Sequence, residues 1–136
     1  MKHYIIATHG NFAKGIYESI KIVVGEQENV HIVNAFVETN DIEPIIKELI
    51  ESIPEEEELI ICTDIFGGSV NNEFMKYIDR DNYFLITGTN LPLLMQLFLS
   101  KDEDTEQTIR SITDSKDTAP IFCNDLFNNT ESEEDF

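Results

Sequence analysis

Leu59-Ile60-Ile61-Cys62-Thr63-Asp64-Ile65-Phe66-Gly67-Gly68-Ser69 is the stretch whose reading decides the fold. Its first part, Leu59–Thr63, is a continuous run and does not alternate between apolar and polar residues. A run of this kind suits a strand covered on both faces, as in a parallel sheet. The run then stops at a carboxylate, a Gly-Gly pair and a serine, and from Asn71 the pattern turns helical. Three further runs of the same character, His3–Ala7, Val30–Val37 and Tyr83–Thr87, lie on either side of it.

Helical patterns separate the runs. Phe12, Ile16, Ile20 and Val23 recur at spacings of three and four, and Gly25 ends that helix. Asn40 or Asp41 is expected to cap a second helix with Ile45, Ile46, Leu49, Ile50 and Ile53 as its stripe and Pro54 as its stop. A third is expected over Asn71–Ile78, buried through Phe74, Met75 and Ile78. A fourth starts at Pro92, and a fifth runs from about Thr105 to Ser115. Ala119–Cys123 reads as a short strand, its proline pointing to an edge or a strand start. Strands alternating with helices predict an α/β fold: a mostly parallel, doubly wound sheet with helices on both faces.

The 136 residues suffice for one domain, expected over residues 1–127 with an acidic tail over 128–136. Nine Lys and Arg stand against 27 Asp and Glu, a formal net charge of -18, which argues against nucleic acid and anionic lipid and favours partners with a basic contact face. No apolar run approaches the roughly 20 residues of a membrane span, and the N-terminal run is too short for a secretory signal, so a cytoplasmic protein is expected. Cys62 and Cys123 lie far apart within apolar runs and read as small buried hydrophobes. No His or Cys pair has metal-ligand spacing, and Gly67-Gly68 is neither a P-loop nor a dinucleotide fingerprint, so neither metal nor cofactor is expected. The run Glu55-Glu56-Glu57-Glu58 reads as a solvated loop, and His3 and His31 as structural or solvent-facing residues.

In a parallel α/β sheet, ligands bind beyond the carboxyl ends of the strands. Three strands here end in polar, glycine-bearing segments: Thr8-His9-Gly10-Asn11, Thr63–Ser69 and Gly88-Thr89-Asn90-Leu91-Pro92. Asp64 can accept a hydrogen bond from one ring nitrogen of His9, leaving the other as a nucleophile, and can stabilise a cationic ring. Gly67, Gly68 and Ser69 open the third helix, where free N–H groups and a hydroxyl can receive a phosphate. The bland alternative is a strand-end histidine beside a glycine turn that only reverses the chain; the residues alone leave the two about even.

These segments resemble a known family. Ile5-Ile6-Ala7-Thr8-His9-Gly10 is similar to the strand and active-site histidine of the mannose-family IIA components of the phosphoenolpyruvate:sugar phosphotransferase system (PTS). Asp64–Asn72 is similar to that family's Asp-x-(aromatic)-Gly-Gly-Ser-x-x-Asn segment, Gly88–Leu94 to its Gly-x-Asn-x-Pro-x-Leu loop, and Gly25–Val30 to a family turn. The likeness covers about residues 2–125. Phe66 stands where some members carry Trp, and Val70 where some carry Pro; both remain apolar. The resemblance implies a phosphorelay in which the phosphocarrier HPr phosphorylates His9 and His9 passes the group to an enzyme IIB component, with IIC and IID permease components downstream. It also implies a homodimer exchanging one antiparallel C-terminal strand, here the Ala119–Cys123 run. Phe66 and Asn90 are then candidates for partner docking, with Phe12 a weaker one.

Other readings stand beside this one. A receiver-type switch phosphorylated on Asp64 would need acids at the end of the first strand, where Thr8-His9 stands. A flavin-binding module would need its glycine turn after the first strand. A dihydroxyacetone-kinase-type phosphotransfer subunit is the nearest rival within the phosphorelay class.

Overall fold

Strand β1 (Lys2–His9) is buried from both sides. Tyr4 and Ile6 face one layer of helices, Ile5 and Ala7 the other, and all four are 5% exposed or less. That period of two within an apolar run gives one strand two hydrophobic faces, so helices must cover both. The computed structural model describes the backbone of residues 1–132 and the side chains of residues 1–127. The acidic tail expected over 128–136 lies outside the described residues, apart from the backbone of 128–132, which continues the last helix.

The elements follow in the order β1, α1 (Phe12–Val24), β2 (Val30–Ala35), α2 (Glu43–Glu51), β3 (Glu58–Thr63), α3 (Ser69–Met75), β4 (Tyr83–Ile86), α4 (Leu91–Leu99), α5 (Thr105–Asp114) and α6 (Cys123–Ser132), with a 3-10 turn at Lys116–Thr118. The sheet is all parallel, in the order β2-β1-β3-β4. Helices α1, α4 and α5 pack on one face through Ile16, Ile20, Leu94, Leu97 and Ile112. Helices α2 and α3 pack on the other through Ile46, Ile50, Val70 and Phe74. Full burial of each such side chain is worth roughly 1.5–3 kcal/mol. The chain leaves β1 toward β2, then returns to the other side of β1 for β3. The crevice between β1 and β3 is therefore the topological switch point of the sheet.

Several sequence expectations need correction. Residues 119–122 form no strand and Cys123 opens α6, so the sheet has four parallel strands and no antiparallel fifth among the described residues. A short apolar run does not separate strand from helix by periodicity, and a strand needs an adjacent edge to pair with. Cys123 is exposed, whereas Cys62 is buried as expected. β2 ends at Ala35, two residues before Val37, because Phe36 takes φ +66° and breaks the extended chain. α2 begins after Ile42 without a side-chain cap, so neither Asn40 nor Asp41 serves. α3 is only seven residues long and buries Val70, Asn71 and Phe74, leaving Met75 and Ile78 more than 40% exposed. Phe12 and Val23 lie about half exposed beside the buried stripe of α1, which is Ala13, Ile16 and Ile20. The glutamate run divides. Glu55 and Glu56 are exposed, Glu57 meets His3 at 3.1 Å, and Glu58 starts β3 and accepts a hydrogen bond from the Thr105 hydroxyl.

Candidate active site

His9 is the last residue of β1, and Asp64 follows the last residue of β3. The register pairs Ala7 with Thr63 and His9 with Ala35, so the two functional groups come to one rim at the switch point. The turn out of β1 is sharp. Gly10 takes φ +62°, and its N–H donates to Ala35 O at 2.9 Å. Thr8, fully buried, accepts from Ala13 N–H at 2.7 Å and so supplies the start of α1 with a bond that Asn11 does not make. These contacts anchor the backbone from which the His9 side chain projects.

One oxygen of Asp64, Oδ2, holds His9 twice: the backbone N–H and ring Nδ1 each lie 2.9 Å from it. The other, Oδ1, accepts from Ile65 N–H at 3.1 Å. Partial burial pushes the Asp64 carboxyl up, but the hydrogen bonds from the His9 backbone and ring outweigh it and hold the carboxyl below its ordinary value. A carboxylate accepts only, so the Nδ1 proton is the shared one and Nε2 is left as an acceptor for the Ser69 hydroxyl. The Ser69 hydroxyl lies 3.3 Å from Nε2. Gly68 lies against the ring edge, where a Cβ would stand 3.2 Å from His9 Cε1. Gly67 takes φ +79°, which bends the loop back toward α3. At the N-terminus of α3, the N–H groups of Ser69, Val70 and Asn71 have no acceptor within the helix.

A buried polar network stands behind the rim. Thr63 Oγ1 donates to Asn71 Oδ1 at 2.7 Å, and Thr63 O accepts from both the Thr89 hydroxyl at 2.6 Å and Thr89 N–H at 3.0 Å. These bonds tie the ends of β3, α3 and the loop after β4 into one support.

His9, Asp64, Gly67, Gly68 and Ser69 thus meet at one point. Phe66 lies on the same loop, 78% exposed. Asn90 is engaged within the chain: Oδ1 caps α4 at Leu93 N–H and Nδ2 donates to Thr118 O at 2.6 Å. The sequence reading missed Phe36, whose ring stacks on the His9 ring with centroids 5.6 Å apart and planes 28° apart. No sequence signal pointed to it, because the apolar run Val30–Val37 reads Phe36 as an interior strand residue. His3 and His31 lie at the opposite rim, stacked on each other at 6.1 Å. Burial pushes the Cys62 thiol up to about 12, so it is no nucleophile at neutral pH. No group of three or more His, Cys, Asp or Glu among the described residues is placed to hold a metal, and no described helix is long and apolar enough to cross a membrane. A groove of about 420 Å³ runs beside β2 and is lined by Phe36, but not by His9, Asp64 or Ser69. The His9 side chain is 40% exposed at the rim.

Residues 3–113 match the family described as the PTS system fructose IIA component. The chain is 32% identical over 97 residues to the PTS system fructose-specific EIIA component of Bacillus subtilis, covering 68% of this chain and 66% of that one. It is 28% identical over 104 residues to the PTS system mannose-specific EIIAB component of Escherichia coli K12. That match covers 74% of this chain but 32% of the relative, so the chain spans about a third of its length. A solved structure from Klebsiella pneumoniae, described as a phosphoenolpyruvate-dependent sugar phosphotransferase system permease, superposes with a TM-score of 0.88 at 38% identity over 93% of both chains.

Proposed function

This chain belongs to the mannose/fructose-type IIA family of the phosphoenolpyruvate:sugar phosphotransferase system, and from that premise we propose that it is a phosphohistidine carrier working through His9. The observation that carries the reading is a part-exposed histidine with Nδ1 tied to the Asp64 carboxylate and Nε2 facing the Ser69 hydroxyl at the start of α3. HPr is the proposed donor and an enzyme IIB component the proposed acceptor, with IIC and IID permease components completing uptake of a mannose-type sugar.

The step needs no metal and no external base. Nε2 attacks the phosphorus of the donor; the Nε2–P bond forms while the donor's own P–N bond breaks, and the donor imidazole departs with that electron pair. The Nδ1 proton stays where it is, so the His9 ring becomes cationic and Asp64 neutralises it at 2.9 Å. Transfer to IIB reverses these roles. Such a loose phosphoryl transition state is served by positioning and electrostatics. Gly67 and Gly68 allow close approach of the backbone, and the Ser69 hydroxyl with the first-turn N–H groups receives the phosphoryl oxygens. A donor that is itself a protein suits an open rim better than a closed pocket does.

Phe66, with Ile65 at 58% exposure and Phe12 at 48%, offers an apolar docking surface around His9, while Asn90 holds the neighbouring loop in place. Docking on HPr and IIB places the chain in the cytoplasm, at the inner face of the membrane when the permease is engaged. A homodimer also belongs to this reading, supported by exposed Ile121, Phe122 and Phe127 near the C-terminus. In Asp64 both carboxylate oxygens already accept hydrogen bonds, which speaks against an aspartyl phosphate there.

The test is labelling from phospho-HPr. His9→Ala should abolish it, and the wild-type phosphoryl link should be lost in acid and survive base. Labelling that persists in His9→Ala and disappears in Asp64→Ala would overturn the reading in favour of the receiver switch.

A further inference from the structure

We infer that Phe36 is a positioning residue for His9, its ring fixing the plane of the imidazole that Asp64 anchors at one atom. This rests on the reading of His9 as the phosphoryl carrier, and three observations carry it.

The first is the stack itself. Centroids 5.6 Å apart and planes 28° apart put the two rings in an offset face-to-face arrangement. The second is the backbone. Among the described residues three non-glycine positions have positive φ: Asn29, Asn82 and Phe36. Asparagine visits the left-handed region readily; a bulky phenylalanine there, at φ +66°, is an outlier that the surrounding structure must hold. The strain sits immediately after the strand that pairs with His9, and local strain of this kind concentrates at functional sites. The third is what the other contacts leave undone. The torsion that orients an imidazole is broad, and the hydrogen bonds at Nδ1 to Asp64 and at Nε2 to Ser69 both act at the ring's edge, so neither supports its face. Gly68 limits the Cε1 edge, and Phe36 supplies the face.

The consequence is chemical. In-line transfer requires the Nε2 lone pair to point at phosphorus, and small misorientations of a nucleophile are costly. The ring also becomes cationic as the N–P bond forms, and a cation within about 6 Å of an aromatic face is attracted to it. Phe36 therefore acts before transfer, by holding the plane, and during it, by facing the charge.

The experiment compares wild type with Phe36→Gly, Phe36→Leu and Phe36→Tyr. Glycine relieves the positive φ, leucine keeps apolar bulk without a ring, and tyrosine keeps the ring. The readouts are phosphorylation of His9 by the small donor phosphoramidate, ¹³C relaxation of the His9 Cε1–H bond, and thermal melting. Phe36→Gly and Phe36→Leu should phosphorylate about tenfold more slowly and show a more mobile imidazole, with melting of Phe36→Gly unchanged or raised; Phe36→Tyr should restore rate and order together. Wild-type rate and wild-type order in Phe36→Leu overturn the inference, and so does a slowdown seen with phospho-HPr but not with phosphoramidate, which would make Phe36 a docking residue. If wild-type His9 takes no phosphoryl group from either donor, the carrier reading fails, and the relaxation data still decide whether Phe36 orders the ring.

Discussion

Asp64→Asn isolates the charge of the site from its shape. The substitution keeps an acceptor for the His9 backbone N–H, now 2.9 Å from Asp64 Oδ2, so the fold should stand. What it removes is the negative charge 2.9 Å from Nδ1. A unit charge pair at that distance interacts by about 1.4 kcal/mol at the dielectric of water and by about 6 kcal/mol at an effective value of about 20. The His9 side chain is 40% exposed and that of Asp64 12%, which places the site between those limits. An intermediate value of about 3 kcal/mol corresponds to roughly 10²-fold in rate, since each 1.36 kcal/mol is tenfold. The loss should fall on transfer and not on partner affinity, because in the proposed step charge develops on the ring as the N–P bond forms. The assay is single-turnover phosphorylation by phospho-HPr, with ¹⁵N chemical shifts of His9 to read its tautomer and thermal melting as a control. The acid side gives a second check. The Asp64 carboxyl is held below its ordinary 3.8, so its contribution to stability is full above that value and is lost as pH falls through the folded-state value; Asp64→Asn should lack this part of the acid slope. A transfer rate within twofold of wild type, with the tautomer unchanged, would refute the electrostatic argument and reduce Asp64 to a backbone cap.

Three further outcomes follow from the same geometry. Gly68→Ala places a Cβ 3.2 Å from His9 Cε1, so transfer should slow about tenfold while melting stays level or rises, because alanine costs less unfolded-chain entropy; phosphoramidate kinetics beside calorimetry check both. Phe74→Ala empties a fully buried site under α3 and should cost about 3–5 kcal/mol by urea denaturation, and a loss below about 1 kcal/mol would mean that the α2–α3 layer collapses to fill it. The His31 imidazole is held below its ordinary 6.5, first by burial and then by His3 stacked on it. The unfolded chain therefore takes up that proton first, and stability should fall as pH drops below 6.5 toward the folded-state value. His31→Phe should flatten that slope in denaturation curves at about pH 7.5 and about pH 5.

The alternation of continuous apolar runs with helical stripes was sufficient to place the four parallel strands and helices α1 to α5, because burial on two faces leaves a local mark on composition. His9, Asp64, Gly67, Gly68 and Ser69 were legible for a related reason: parallel α/β topology gathers strand ends at one rim, so residues 55 positions apart become neighbours once the strands are assigned. The last segment was not legible. Ile121, Phe122, Leu126 and Phe127 are apolar enough for either a strand or a helix, and only the presence or absence of an adjacent edge decides between them.

Side-chain commitment was also beyond local pattern. Asn90 read as a surface group, yet its amide is divided between the start of α4 and Thr118 O, a contact that exists only because residues 28 positions apart pack together. Met75 and Ile78 read as core, but a seven-residue helix turns only one narrow face to the sheet. Phe36 is the sharpest case. Nothing in Asn34-Ala35-Phe36-Val37 announces a left-handed phenylalanine, since that region is unfavourable for it in isolation and tolerated only when the surrounding packing holds it. The sequence by itself determined which groups could carry the chemistry and at which end of the sheet they would meet. The tertiary structure alone decided what faces the His9 ring, because the 5.6 Å stack with Phe36 joins residues that are neighbours only in the folded chain.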